Sequence, residues 1–334
     1  MAFDQNTYRI LHMLAVGGMA EVYLARQRVF EGIERLVVVK RLLPEHRDDE
    51  EFVTMFLDEA RIAAHIQHPH VVQLYDATRL QDDVFLVMEY VDGVSLRRLL
   101  DAALAAARPL STAEAGSIGL TLADTLAYVH EAKDEHGAPL NIVHRDLTPG
   151  NVLISWAGAL KLIDFGIARG DNRVYETATG MVKGTAGYMA PEQLRDGVPD
   201  ARTDIFALGV VLYEMFVGAH PFATRNLFDL YDVIVQGRFT PPHAQRPDMP
   251  ARAAHLITRC LQSAPERRPQ SMHEVAAELH QVIAEVGHVP SFRGLAALVR
   301  ELLPPPSTQP VREMQISELV TDVEQPTKVQ RKGR

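Results

Sequence analysis

The hydrophobic period of this chain changes once, near residue 90, and that change demands two structurally different halves. Before it, apolar and β-branched runs at 8–14, 21–27, 36–42, 71–78 and 84–90 read as strands. One helical pattern interrupts them at 51–66, with Phe52, Phe56, Ala63 and Ile66 along a single stripe. Glu59 falls on the same stripe, and a carboxylate turned toward an apolar interior needs a cation to offset its desolvation. Beyond Ser95 the spacing predicts helices at 95–107, 112–135, 203–217, 226–236, 251–261 and 271–286, with a hairpin at 151–155 and 160–163 among them. The run 205–215 is apolar nearly all round and marks a central buried helix. The expected architecture is α+β and bilobal: a small β-rich N-lobe with one key helix, and a larger α-helical C-lobe.

These patterns set the domain boundaries. Residues 1–7 read as an N-terminal extension and 8–286 as the main domain, divided into an N-lobe at 8–90 and a C-lobe at 91–286. Ser291 can cap an amphipathic helix carrying Phe292, Leu295, Leu298, Val299 and Leu302, so 287–303 reads as a helical extension that docks on the helical lobe or on a partner. Residues 304–334 open on three prolines, are polar and lack periodicity, and read as a disordered tail or linker ending in a small basic cluster.

Charge and composition exclude several function classes. Thirty-four Lys and Arg against 43 Asp and Glu give a net charge of -9, which disfavours nucleic-acid or anionic-lipid partners. The lone Cys260 has no disulfide partner, which fits a reducing, cytoplasmic compartment. No run reaches the roughly 18 apolar residues of a membrane span. The apolar stretch 10–20 behind Arg9 is interrupted by His12, so no secretion signal is expected. His65, His68 and His70 bracket Pro69 at a helix-to-strand turn, with no Cys or carboxylate nearby to complete a zinc site.

Four local signals occur in a fixed order. Gly17-Gly18-Met19-Ala20-Glu21-Val22 lies between two predicted strands, where small residues let backbone amides approach phosphate oxygens. Val37-Val38-Val39-Lys40 places a lysine on a buried-looking strand, with Glu59 as its counterion. In 144–151, His-Arg-Asp-Leu-Thr-Pro-Gly-Asn, Asp146 and Asn151 sit on a loop before a short strand and can offer a proton acceptor and a metal ligand to one point. Asp164-Phe165-Gly166 follows the next strand, where a carboxylate can reach a hard cation such as Mg2+. Met189-Ala190-Pro191-Glu192 lies downstream.

This ordered set resembles the protein-kinase family over 8–286, most of all the eukaryotic-type (Hanks-type) bacterial Ser/Thr kinases. The resemblance implies a Ser/Thr protein kinase that transfers the ATP γ-phosphate to protein hydroxyls, with ATP and Mg2+ as cofactors and Mn2+ as a substitute cation. It implies that Lys40, paired with Glu59, holds the ATP α and β phosphates, that Asp146 accepts or orients the hydroxyl proton, and that Asn151 and Asp164 hold the metal. Ala15, Val16, Gly17 and Gly18 would line the phosphates. Val22, Val38 and Leu153 would sandwich the base, and the Glu89 to Val91 hinge would meet it through backbone groups, with the Met88 side chain guarding the back pocket. Asp204 would brace the catalytic loop, and Glu192 would pair with Arg268. Thr177 and Thr179 resemble activation-loop phosphothreonines with Arg145 as counter-charge, and Thr185 resembles a residue that contacts the catalytic Asp. Protein substrates are the implied partners, with a homodimer serving trans-autophosphorylation.

The sequence departs from the family pattern at three places. Ala15 and Ala20 stand where the first and third loop glycines are usual, and Val38 replaces an alanine above adenine. Thr148 stands where such kinases carry a lysine, a loss worth on the order of 10² to 10³ in rate if nothing replaces it. Lys161 and Lys183 are the candidate replacements. The alternative reading is a pseudokinase acting as a nucleotide-responsive signalling scaffold.

Overall fold

In the computed structural model, described over residues 7–166, 186–195, 197–224, 226–287, 291–304 and 314–316, the chain forms two compact units. Its strands are β1 (Tyr8–Val16), β2 (Ala20–Phe30), β3 (Ile33–Leu42), β4 (Leu74–Leu80), β5 (Asp83–Glu89), β6 (Gly93–Ser95), β7 (Val152–Ser155), β8 (Leu160–Leu162) and β9 (Met314–Gln315). Its helices are α1 (Glu50–His65), α2 (Leu96–Ala105), α3 (Thr112–His130), α4 (Pro191–Leu194), α5 (Ala201–Val217), α6 (Leu227–Val235), α7 (Pro242–Gln245), α8 (Ala251–Cys260), α9 (Met272–Glu285) and α10 (Phe292–Leu302).

The first unit is built on an antiparallel six-stranded sheet in the order β4-β5-β3-β2-β1-β9. The side-chain period of two splits its apolar residues between the faces. Leu42, Val84 and Leu86 cluster with Phe56 and Ala60 of α1, whereas Val37, Val39, Phe85 and Val87 cluster with Tyr8, Ile10, Tyr23 and Ala25.

The second unit is helical around α5, in which every residue from Thr203 to Phe216 is buried. This matches the apolar run in its sequence. Asp200 caps α5 by accepting the Arg202 N–H, and Gly218 ends it in the left-handed region at φ 81°. The core continues through α3, α8 and α9 to the small antiparallel sheet β6-β7-β8. Helix α3 starts with a capping box between Ser111 and Glu114. Helix α10 lies against the same core through Leu298 and Val299, so the amphipathic extension docks on the helical unit.

Four expectations need correction. The strand expected at 71–78 begins at Leu74, because Val71 and Val72 are drawn to β8, where the Val72 N–H donates to the Leu162 carbonyl at 3.0 Å. Residues 61–72 accordingly belong to the second unit and not to an N-lobe running unbroken over 8–90: Ile66 and Val71 pack with Val129, Ile142 and Phe165. The helix expected to reach 135 stops at His130, because Lys133 bridges Pro139 across a turn in which Asp134 accepts the N–H groups of His136 and Ala138. Finally, the stretch expected to lack structure from 304 onward contributes β9, which pairs Gln315 with Arg9 and Met314 with Ile10.

Candidate active site

In the first unit, Lys40 lies on β3 between Val39 and Arg41, on the face that α1 covers. Its Nζ donates to Glu59 Oε1 at 2.6 Å, and the two side chains keep only 10% and 8% of their exposure. The stripe that buries Phe56 therefore carries the carboxylate to the ammonium, and each charge offsets the other's desolvation. Across the β2–β3 register Val22 faces Lys40, and across β3–β5 Val38 faces Met88. Ala15 and Val16 end β1 opposite Val22 and Glu21, and the Gly17 N–H closes the following turn on the Ala20 carbonyl at 2.8 Å. The Glu89 N–H is already donated to the Gln73 carbonyl at 2.9 Å, so that group of the expected hinge is taken.

In the second unit, Asp146, Asn151 and Asp164 are drawn together by backbone closure. The Asn151 Nδ2 donates to the Asp146 carbonyl at 2.8 Å and to its Oδ2 at 3.0 Å. That leaves the amide oxygen of Asn151 as its group for a cation. The Ile163 N–H donates to the Asn151 carbonyl at 3.0 Å, and the Gly166 N–H to the His144 carbonyl at 2.7 Å. A side chain at Gly166 would not fit, since a Cβ there would stand 2.6 Å from the Asp146 Cβ and 3.1 Å from its backbone nitrogen. Asp164 and Arg145 hold left-handed backbone at φ 53° and 64°, a strain that the surrounding bonds must overcome. Carboxylate and amide oxygens, carried on segments that these backbone bonds hold side by side, are the donor chemistry that a hard divalent cation takes.

Asp204, wholly buried at the start of α5, holds this loop from beneath. Its Oδ2 accepts the His144 N–H at 2.8 Å and the His130 Nε2–H at 2.7 Å, and its Oδ1 accepts the Arg145 N–H at 2.8 Å. Burial pushes its carboxyl upward, but the His130 bond and the backbone donors outweigh that and leave it below the usual carboxylate range. Glu192 and Arg268 form a two-pronged pair at 2.7 and 2.8 Å, joined by the Thr203 hydroxyl. Leu153 lies half-buried on β7, and Val91 precedes β6.

Thr148 is buried at the start of the short turn Pro149–Asn151. Lys161, one candidate to replace the absent lysine, instead donates to the Val71 carbonyl at 3.4 Å. Lys183, Thr177, Thr179 and Thr185 lie outside the described residues. Of the histidines bracketing Pro69, His70 Nδ1 contacts the Leu160 carbonyl and His68 Nδ1 accepts the His70 N–H. Both serve the backbone.

Two features escaped the sequence reading. His144 is fully buried: its Nδ1 accepts the Asp146 N–H at 3.3 Å and its Nε2 meets the Ile163 carbonyl at 3.2 Å, so one ring ties the segment of Asp146 to the segment before Asp164. Glu214, in the apolar run of α5, accepts from Arg97 at 2.5 Å and from the Tyr188 hydroxyl at 2.6 Å. A carboxylate inside an apolar helix was legible by the reasoning that singled out Glu59. This trio, with Thr148, Gly150 and His220, lines a cavity of about 470 Å³.

The protein kinase domain family matches residues 8–280. The chain is 37% identical to "Tyrosine-protein kinase MasK" of Myxococcus xanthus over 83% of its length and 43% of that protein. It is 32% identical to "Serine/threonine-protein kinase PrkC" of Bacillus subtilis, over 81% of this chain and 40% of that one. "Serine/threonine-protein kinase PknB" of Mycobacterium tuberculosis is 34% identical, over 83% of this chain and 43% of that one. The chain thus spans about two fifths of the length of these relatives. The crystal structure of the Mycobacterium tuberculosis PknI kinase domain matches with a TM-score of 0.61 and 28% identity, covering 83% of this chain and 96% of that one. Among the described residues no helix is long and apolar enough to cross a membrane. With the family match over 8–280 and the ordered motifs carried on a β-sheet unit and a helical unit, this chain belongs to the protein kinase family.

Proposed function

We propose that this chain is an active Ser/Thr protein kinase that transfers the γ-phosphate of ATP to protein hydroxyls. The observation that carries the reading is the grouping of Asp146, Asn151 and Asp164, fixed by the Asn151 bonds to Asp146 and by the close seat of Gly166 on that residue. Asp146 accepts or orients the acceptor hydroxyl proton. Asn151 and Asp164 present oxygens to Mg2+, which when bound supplies charge neutralisation for the transferring phosphoryl group. Lys40, held by Glu59, offers its ammonium to the α and β phosphates. Positioning and charge stabilisation thus carry the catalysis. The cavity bordered by Thr148 and Gly150 supplies room beside the catalytic loop for an acceptor segment. Retention of all five residues argues against the scaffold reading that Thr148 motivates.

Activation by trans-autophosphorylation at Thr177 or Thr179, in a reducing cytoplasm and between two copies, completes the proposal. The name of the Myxococcus xanthus relative raises tyrosine as a second acceptor. The test is incubation of purified protein with Mg2+ and ATP, followed by phosphosite mapping beside Lys40→Met and Asp146→Asn. Phosphoserine or phosphothreonine on the parent alone is expected. Nucleotide binding without phosphate transfer overturns the proposal, and phosphotyrosine alone overturns its acceptor class.

A further inference from the structure

The residue that completes the apolar core of the first unit comes from the far end of the chain. In the cluster formed by Tyr8, Ile10, Tyr23, Ala25, Val37, Val39, Phe85, Val87 and Ile316, every member but one lies on β1, β2, β3 or β5. The exception is Ile316, which is fully buried. It follows directly on β9, which adds to the sheet beyond β1 by pairing Gln315 with Arg9 and Met314 with Ile10. Without β9, β1 would be the outer strand on that side, presenting a row of unpaired backbone groups.

We infer that the β1 edge, with the apolar socket beside Tyr8 and Ile10, is a binding site for an extended peptide bearing an isoleucine anchor, and that this chain's own segment around Met314–Gln315–Ile316 is its ligand. The division of labour is that of strand addition: backbone pairing sets direction and register, and one side-chain pocket sets specificity. Here the backbone part is short, two residues long, well under the usual strand of about 5–6 residues. Two residues of ladder hold weakly by themselves, so the burial of Ile316 supplies most of the attraction. An anchor of this kind is exchangeable: a free peptide of the same sequence competes for the edge, and removing the anchor empties it. Because the edge is occupied from within the chain, a second copy or another strand-forming protein meets a blocked site.

The test uses the full chain as wild type, Ile316→Asp and Ile316→Ala, with a fluorescent peptide spanning residues 311–320 read by anisotropy. Both variants should bind the peptide one to one, and wild type should bind at least about tenfold more weakly because its own segment competes. A peptide with the isoleucine replaced by aspartate should not bind. Equal affinity for wild type and variants, or binding by none of them, overturns the inference. Should Ile316→Asp fail to fold, hydrogen exchange on the milder Ile316→Ala decides. The amides of Arg9 and Ile10 should exchange at least about tenfold faster than in wild type and regain protection on adding peptide. Unchanged exchange overturns the inference, as does a concentration-dependent dimer in which Ile316 reaches the partner copy's sheet.

Discussion

Asp204→Asn removes one charge and almost no volume, yet the geometry predicts a large effect. The carboxylate accepts three hydrogen bonds, from His144 N–H, Arg145 N–H and His130 Nε2–H. An asparagine has one acceptor oxygen and must turn its NH2 toward one of the two backbone donors, whichever way it is flipped. One backbone N–H is then left facing a donor in a fully buried site, a cost of about 1–3 kcal/mol, and the surviving bonds lose their charge assistance. A total of about 3 kcal/mol corresponds to roughly 6–12 °C in Tm for a unit of this size. The strained backbone of Arg145, at φ 64°, depends on the same acceptor, so the loop carrying Asp146 should relax and kcat should fall more than the KM for ATP changes. The pH dependence has a definite sign. Because the folded carboxyl lies below its ordinary value, its contribution is complete above the unfolded pKa of about 3.9 and disappears as pH falls through the folded one. The gap in Tm between wild type and Asp204→Asn should be open at about pH 5 and close as pH falls below about 4. A variant within about 1 °C of wild type at pH 7, with unaltered kcat, would refute this account of the loop.

Two further outcomes follow from close packing and burial. At Gly158, with φ 87°, a Cβ would stand 1.9 Å from the Phe292 carbonyl oxygen and 2.9 Å from the Ala296 nitrogen. Gly158→Ala should therefore loosen α10 and speed tryptic cleavage at Arg293 and Arg300, and wild-type cleavage kinetics would contradict the docking. Burial pushes the Cys260 thiol up to about 12, so it should resist thiol reagents at pH 8 until denaturant is added. Stability should also decline above the unfolded thiol pKa of about 8.5, where only the unfolded chain ionises, and rapid labelling of the native protein would show that the site is open.

Much of this protein was legible without its structure, because the decisive signals were local violations of a local rule. A carboxylate on the apolar stripe of α1 and a lysine on a buried strand implied one another, and they meet at 2.6 Å. The same rule applied to Glu214 would have called for a cationic partner, which the structure supplies as Arg97. Periodicity placed α5 and the docked helix α10, since one depends on an unbroken apolar surface and the other on a single apolar stripe. The sequence did not disclose where α3 ends or where β4 begins, because those limits are set by competing backbone partners, Pro139 for Lys133 and Leu162 for Val72.

Residue order alone thus singled out the candidate side chains and the order of their motifs, since types and spacing follow from charge, size and period. What only the tertiary structure decided is how those side chains are held. His144 ties two segments through one ring, Gly166 is pressed against Asp146, and Ile316 packs into the apolar cluster of Tyr8 and Ile10. Each of these is a contact between residues distant in the chain, or a backbone conformation that such contacts sustain. No local pattern records a contact of that kind, because it acquires its energy only when the intervening residues have folded.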